Sequence, residues 1–146
     1  MNLVVDSNIL VSCLIKADGR TAGLYINPPV PLVFHAPERI MAELSLHRGK
    51  FMKITGASPG RHAELEEVLL SMLTIVPDAR IADAHWEHAF HLVKDIDEND
   101  LQFVALALHL GCPLWTGDLR LVRGLRRKGF KGVITNEELR RMVEQG

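Results

Sequence analysis

The sequence predicts an α/β domain, a three-layer α/β/α sandwich around a mostly parallel central sheet. Two observations carry this. Short apolar, largely β-branched runs alternate along the whole chain with segments whose apolar residues recur at helical spacing. No internal repeat, low-complexity tract or long linker divides the 146 residues, 47% of them hydrophobic, so residues 1–146 read as a single domain with one core.

The elements follow in order. Leu3-Val4-Val5 is a strand that stops at Asp6, and Ile9 to Lys16 has helical character before Asp18-Gly19 breaks it. After Pro28-Pro29-Val30-Pro31, Leu32-Val33-Phe34 is a second strand, and Pro37 is placed to open a helix that runs to about Lys53 and contains Glu43. Ser58-Pro59-Gly60 is a turn. From Arg61 to Leu73 the residues Leu65, Val68, Leu69 and Met72 recur as one helical face, completing a helical hairpin.

Thr74-Ile75-Val76 is a short strand closed by Pro77, and Ala82, Trp86, Ala89, Phe90 and Val93 mark one face of the next helix. Asp97 and Asp100 precede a helical run from Phe103 to Leu110, which Gly111 ends. Pro113 to Thr116 is a brief strand followed directly by Asp118, and Leu119 to Lys128 is a basic amphipathic helix ended by Gly129. Val133-Ile134 is the last strand, and Thr135 with Glu138 forms a capping box for a C-terminal helix.

Bulk composition excludes several classes. A formal net charge of -1 exerts no global pull on nucleic acid or membrane, so a polyanion site has to come from charge placed locally. No apolar run approaches the roughly 18 residues of a membrane span, and the first one is broken at once by Asp6-Ser7-Asn8, unlike a signal peptide. The two cysteines, Cys13 and Cys112, sit in apolar stretches and read as buried thiols of a reducing compartment. The expected location is the cytoplasm, with no membrane partner.

The acids carry the chemistry. Asp6 and Asp118 each end a strand and precede a helix, which allows two readings: a helix N-cap, or a ligand at the carboxyl edge of a sheet where open α/β folds bind their ligands. Asp97 and Asp100 stand three apart at a helix start, where capping and the macrodipole also favour acids. Glu43 is three residues from Ile40, close to the apolar face of its helix, and an acid there requires a partner. Gathered into one crevice, Asp6, Glu43, Asp100 and Asp118 would repel one another without a cation, and an all-oxygen set suits Mg²⁺ or Mn²⁺ rather than zinc.

The run Leu3 to Leu10 containing Asp6-Ser7-Asn8, the helical Glu43, the stretch Asp97 to Ala107 and Trp115-Thr116-Gly117-Asp118 resemble, in order and spacing, the PIN domain, a metal-dependent nuclease fold that includes VapC-like toxins. The resemblance covers nearly the whole chain. It implies that Asp6, Glu43, Asp100 and Asp118 are the four acids of the PIN site, with Asp6 a bridging ligand, Asp100 and Asp118 completing the metal site, and Glu43 a ligand or a residue that positions the attacking water. Asn8 and Thr116 then orient an acid or a bound water, or else make ordinary turn hydrogen bonds. Asp97 is a rim acid or an N-cap, with the cap the better account.

The chemistry so implied is hydrolysis of phosphodiester bonds, with one or two metal ions activating water and steadying the leaving oxygen. A nuclease needs cations to receive the phosphate backbone. Arg120, Arg123, Arg126, Arg127, Lys128 and Lys131 follow Asp118, and His47, Arg48, Lys50 and Lys53 follow Glu43; of these Arg48, Lys50, Arg120, Arg123 and Arg127 are the RNA-contact candidates, against the plainer reading of solvated helix faces. Aromatic residues are only 5%, which argues against extensive base stacking. His85, His88 and His91 are regularly spaced, but His91 falls opposite the apolar face of its helix, so no zinc site is expected.

Within the resemblance, a chain of this size is similar to the toxin half of a type II toxin and antitoxin pair, which implies an antitoxin partner, an RNA substrate and a homodimer. Two alternatives stand beside it: a catalytically silent PIN domain that binds RNA or protein, and an RNA-processing nuclease without an antitoxin. A haloacid-dehalogenase-type phosphatase would need a second Asp where Asn8 stands, a receiver domain would need a phosphoacceptor Asp where the second strand ends near His35, and a flap-type nuclease would need arch elements for which the chain has no room.

Overall fold

A computed structural model describes residues 1–145 of the protein. Among them, five parallel strands form one sheet in the order β3-β2-β1-β4-β5, from β1 (Asn2–Val5), β2 (Val33–Pro37), β3 (Leu73–Val76), β4 (Leu114–Trp115) and β5 (Val133–Ile134). Every pairing is parallel, with Val4 beside His35 on one side and Leu114 on the other. The predicted fold class is the observed one.

The order explains the composition of β1. As the central strand it is covered on both faces, and Leu3, Val4 and Val5 are each completely buried, a continuous apolar run rather than an alternating one. The chain builds outward from β1 to β2 and β3, then crosses back to lay β4 on the other flank. The carboxyl ends of β1 and β4 therefore border the point where the winding reverses, the place at which open α/β sheets leave a crevice.

Helices α1 (Ser7–Ile15), α2 (Arg20–Ile26), α3 (Arg39–Leu46), α4 (Arg48–Thr55), α5 (Pro59–Ser71), α6 (Asp83–Val93), α7 (Leu101–Leu110), α8 (Leu119–Arg127) and α9 (Asn136–Gln145) make up the remaining regular structure, with single 3₁₀ turns at Asp78–Arg80 and Glu98–Asp100. Helix α7 is the most enclosed, with Phe103 to Ala107 all buried, as expected of a helix apolar on every side. Tyr25 stacks on Phe34 with ring centroids 4.6 Å apart and Trp115 packs tilted against Phe34 and Tyr25 at 5.9 and 6.4 Å, the Tyr25 hydroxyl donating to the Leu69 carbonyl at 2.6 Å.

Several expectations change in detail. Pro37 closes β2 instead of opening a helix, and the helix predicted from there to about Lys53 is two helices broken at His47 (φ -106°, ψ 10°). Ile40, Leu44 and Phe51 are buried, but the stripe between Leu44 and Phe51 would need an apolar residue at 47 or 48, and His47 and Arg48 stand there. Helix α2 was not foreseen; its seven residues include Thr21 and Gly23, poor helix formers, and it is held by burying Ala22, Leu24 and Tyr25. Phe90 lies outside the buried face of α6, which consists of Ala89, Leu92 and Val93, and Val68 is exposed on α5, whose buried residues are His62, Glu66 and Leu69. Cys13 is fully buried, whereas Cys112 is only partly so. The Thr135 and Glu138 capping box is present, each side chain accepting from the other's backbone N–H at 3.1 and 2.9 Å. No described helix is long and apolar enough to cross a membrane.

Candidate active site

Parallel pairing of β1 with β4 sets Asp6 beside Thr116, one residue beyond each strand. The two loops are tied by side chains. The Thr116 hydroxyl donates to Asp6 Oδ2 at 2.8 Å and accepts from Asn8 Nδ2 at 3.1 Å and from the Asp118 backbone N–H at 3.0 Å, so its one proton and both lone pairs are used. Asn8 Nδ2 also reaches Asp6 Oδ2 at 3.3 Å, and Asn8 Oδ1 accepts from the Gly117 N–H at 2.9 Å. Thr116 is fully buried and Asp6 nearly so. Asn8 and Thr116 thus tie Asp6 to the β4 loop across the switch point.

The capping alternatives resolve residue by residue. Asp118 caps α8, its Oδ1 accepting from the N–H groups of Arg120 and Leu121 at 3.0 and 3.2 Å. That leaves its second oxygen outside the cap. Asp97 also caps, accepting from the Asn99 N–H at 2.9 Å. Asp6 and Asp100 make no cap hydrogen bond although each precedes a helix. Both are buried acids that do not cap the helix that follows.

Asp100 is the least satisfied of these groups. It is 9% exposed, and its Oδ2 is buried with no hydrogen-bond partner among the described residues. Burial first, then the neighbouring charges of Asp6, Asp97, Asp118 and Glu43, push its carboxyl up to about 8. Asp6 is raised to about 6, chiefly by burial, with Glu43 and Asp118 adding to the rise and the Thr116 hydrogen bond opposing it. The four predicted acids therefore share one electrostatic environment, although they come from the end of β1, from α3, from a 3₁₀ turn and from the cap of α8. Among the described residues, no three His, Cys, Asp or Glu side chains are already closed around one point in metal-ligand geometry. The donor set still fits a hard divalent cation: carboxylate oxygens throughout, one of them an orphan, and mutual repulsion that a cation would cancel.

One residue of the site escaped the sequence reading. Arg39 donates from Nε to Glu43 Oε1 at 2.8 Å and from Nη2 to Asn99 Oδ1 at 2.8 Å, bridging α3 to the turn that carries Asp100. The four-residue spacing of Arg39 and Glu43 was the available signal; the link to Asn99 was not. Among the basic candidates, Arg120, Arg123, Arg127 and Lys50 are exposed. Arg48 is committed elsewhere, donating to both oxygens of Glu66 at 2.6 and 3.2 Å, with His62 on the same carboxylate at 3.2 Å. His85 and His109 meet through their Nδ1 atoms at 3.4 Å, while His88 and His91 are exposed.

A five-stranded parallel sheet with its acids at the winding reversal defines the class: a doubly wound α/β domain with a carboxylate centre. The family model of the PIN domain matches residues 4–144, and the chain belongs to the PIN domain family, a family of nucleases. Among solved structures, the chain is similar to one in the crystal structure of VapBC2 from Rickettsia felis bound to a DNA fragment from their promoter. The two share 17% sequence identity and a TM-score of 0.64, over 92% of this chain and 97% of that one, a likeness of fold. No curated protein matches the chain.

Proposed function

We propose that this chain is a metal-dependent endoribonuclease that hydrolyses RNA phosphodiester bonds, with Asp6, Glu43, Asp100 and Asp118 as its catalytic acids and Mg²⁺ or Mn²⁺ as its cofactor. The observation that carries the reading is the buried, unpartnered oxygen of Asp100 in the shared field of the other three acids. Asp6, Asp100 and Asp118 would hold the metal, and Glu43, steadied by Arg39, would help hold it or position water. A bound divalent cation supplies Lewis acidity and lowers the pKa of water at neutral pH. Asn8 and Thr116 keep Asp6 turned toward the centre, and Asp97 fixes the turn that presents Asp100.

The family and the fold likeness to a chain of a VapBC complex support a narrower reading, the toxin of a type II toxin–antitoxin pair, a cytoplasmic homodimer whose antitoxin covers this site. The test is direct. Calorimetric titration with Mn²⁺ should show binding that Asp100→Asn weakens at least tenfold, and RNA cleavage should require the metal, stop with chelation and disappear in Asp6→Asn. Wild-type cleavage by a folded Asp6→Asn variant would sink the assignment. Absence of metal binding together with intact RNA at stoichiometric protein would favour the silent binding module. Growth arrest on expression, relieved by a protein encoded beside it, would separate a toxin from a processing enzyme.

A further inference from the structure

A cavity of about 340 Å³ lies between α8 and the segment that follows α6, lined by Asp95, Ile96, Arg120, Gly124, Arg127 and Lys128. Both walls lead to the acidic centre. Arg120 is two residues past Asp118 on the helix that Asp118 caps, and Asp95-Ile96 runs directly into the turn of Asp97 and Asp100. The floor is kept low by Gly124, where a Cβ would stand 2.5 Å from Ile96 Cδ1. Lys128 is occupied, donating to the carbonyls of His91 and Leu92 and to Asp95, so the one carboxylate on the wall is already paired. Arg120 and Arg127 are exposed and enter no ion pair among the described residues. Seven residues apart, they lie on one side of α8 roughly 10 Å apart along its axis.

We propose that this cavity is a phosphate subsite that receives a backbone phosphate of the RNA strand adjacent to the one brought to the acids. The inference rests on the nuclease reading above. Two unpaired guanidiniums over a shallow pocket match the fork geometry that recognises phosphate, and the volume suits a nucleotide-sized group rather than a folded partner. The position makes α8 do two jobs: its capped start supplies Asp118, and its flank holds the substrate in register with it.

The experiment measures binding without cleavage. Anisotropy of a 3′-labelled single-stranded RNA is followed in excess chelator across a salt series, for wild type, Arg120→Ala/Arg127→Ala, Arg120→Lys/Arg127→Lys, and Arg140→Ala/Arg141→Ala as an equal change of charge on α9. The Arg120 and Arg127 alanine pair should weaken binding roughly tenfold at 0.1 M salt and flatten the slope of log K against log salt by about 0.7, one phosphate's worth. The lysine pair should restore the slope but only part of the affinity, and the α9 pair should stay within about twofold of wild type. Wild-type affinity and slope in the alanine pair, or an equal loss in the α9 pair, would overturn the subsite while leaving the nuclease reading intact. RNA binding that depends on Arg120 and Arg127 without any metal-dependent cleavage would sustain the subsite and sink the nuclease. A wild-type protein that binds no RNA in chelator would overturn the subsite, while metal-dependent cleavage, assayed separately, decides the nuclease reading.

Discussion

Replacing Asp100 by asparagine should make the metal-free protein more stable. The wild-type carboxyl sits at about 8 in the folded protein against an ordinary value of 3.8, so from mildly acidic to neutral pH the folded state holds a proton that the unfolded chain has released. The sign follows from linkage: a raised folded-state value contributes stability that is full below about pH 4 and is lost as pH rises through about 8. Across the interval from 3.8 to pH 7, at about 1.36 kcal/mol per unit, the burden is roughly 4 kcal/mol at most. Asparagine keeps the shape and removes the titration, and should recover about 2–4 kcal/mol at pH 7. Urea denaturation in excess chelator at pH 4, 7 and 9 measures it. The variant's midpoint should exceed that of wild type by on the order of 1–2 M at pH 7, by more at pH 9, and hardly at all at pH 4. A variant no more stable than wild type at pH 9, or a wild type whose stability does not fall between pH 5 and 9, would refute the account of Asp100 as an acid held against its own preference.

Other residues give further expectations. Thr116→Val removes the hydroxyl that donates to Asp6 and accepts from Asn8 and Asp118; it should cost about 1–3 kcal/mol in thermal unfolding and push Asp6 above about 6, moving the acid limb of any cleavage profile to higher pH. Arg48→Ala should destabilise the fold at pH 7 by stranding Glu66 beside His62, and the loss should fade as pH falls below the ordinary value of 4.5, because Arg48 holds Glu66 below the ordinary carboxylate range and that support is present only while the acid is ionised. RNA affinity measured on the same variant tells a structural Arg48 from a contact. Thr135→Ala should cost about 1 kcal/mol by uncapping α9, read from the same melts.

What could be read from the residues differs in kind from what could not. Strands β1 and β4 were legible because complete burial demands unbroken apolar runs, and Asp6 and Asp118 stood out because they follow such runs, Asp100 because it opens a helix and Glu43 because it lies close to an apolar helix face. Their grouping rested on topology and family resemblance, and the parallel sheet order supplies the topology. The break at His47 has its trace in the gap of the apolar stripe, but the engagement of Arg48 by Glu66 depends on how α4 and α5 lie against each other, which periodicity within one helix does not contain. The bridge from Arg39 to Asn99 spans 60 positions and left no local trace. Only for Asp97 did the residues favour the cap, which it makes; of the others at helix starts Asp118 caps while Asp6 and Asp100 do not, a difference the residues left open.

The winding of the sheet also sets an order in time. Asp6 leaves the ribosome first and Asp118 more than a hundred residues later, and the strand that seats Asp118 pairs with the strand that carries Asp6. Until β4 emerges, the nascent chain has no Thr116 to turn Asp6, no partner along that flank of β1 and only three of the four acids. A chain arrested before residue 114 would therefore lack one of the four acids and the residue that holds another, so the acidic cluster closes only once β4 and the turn after it have emerged.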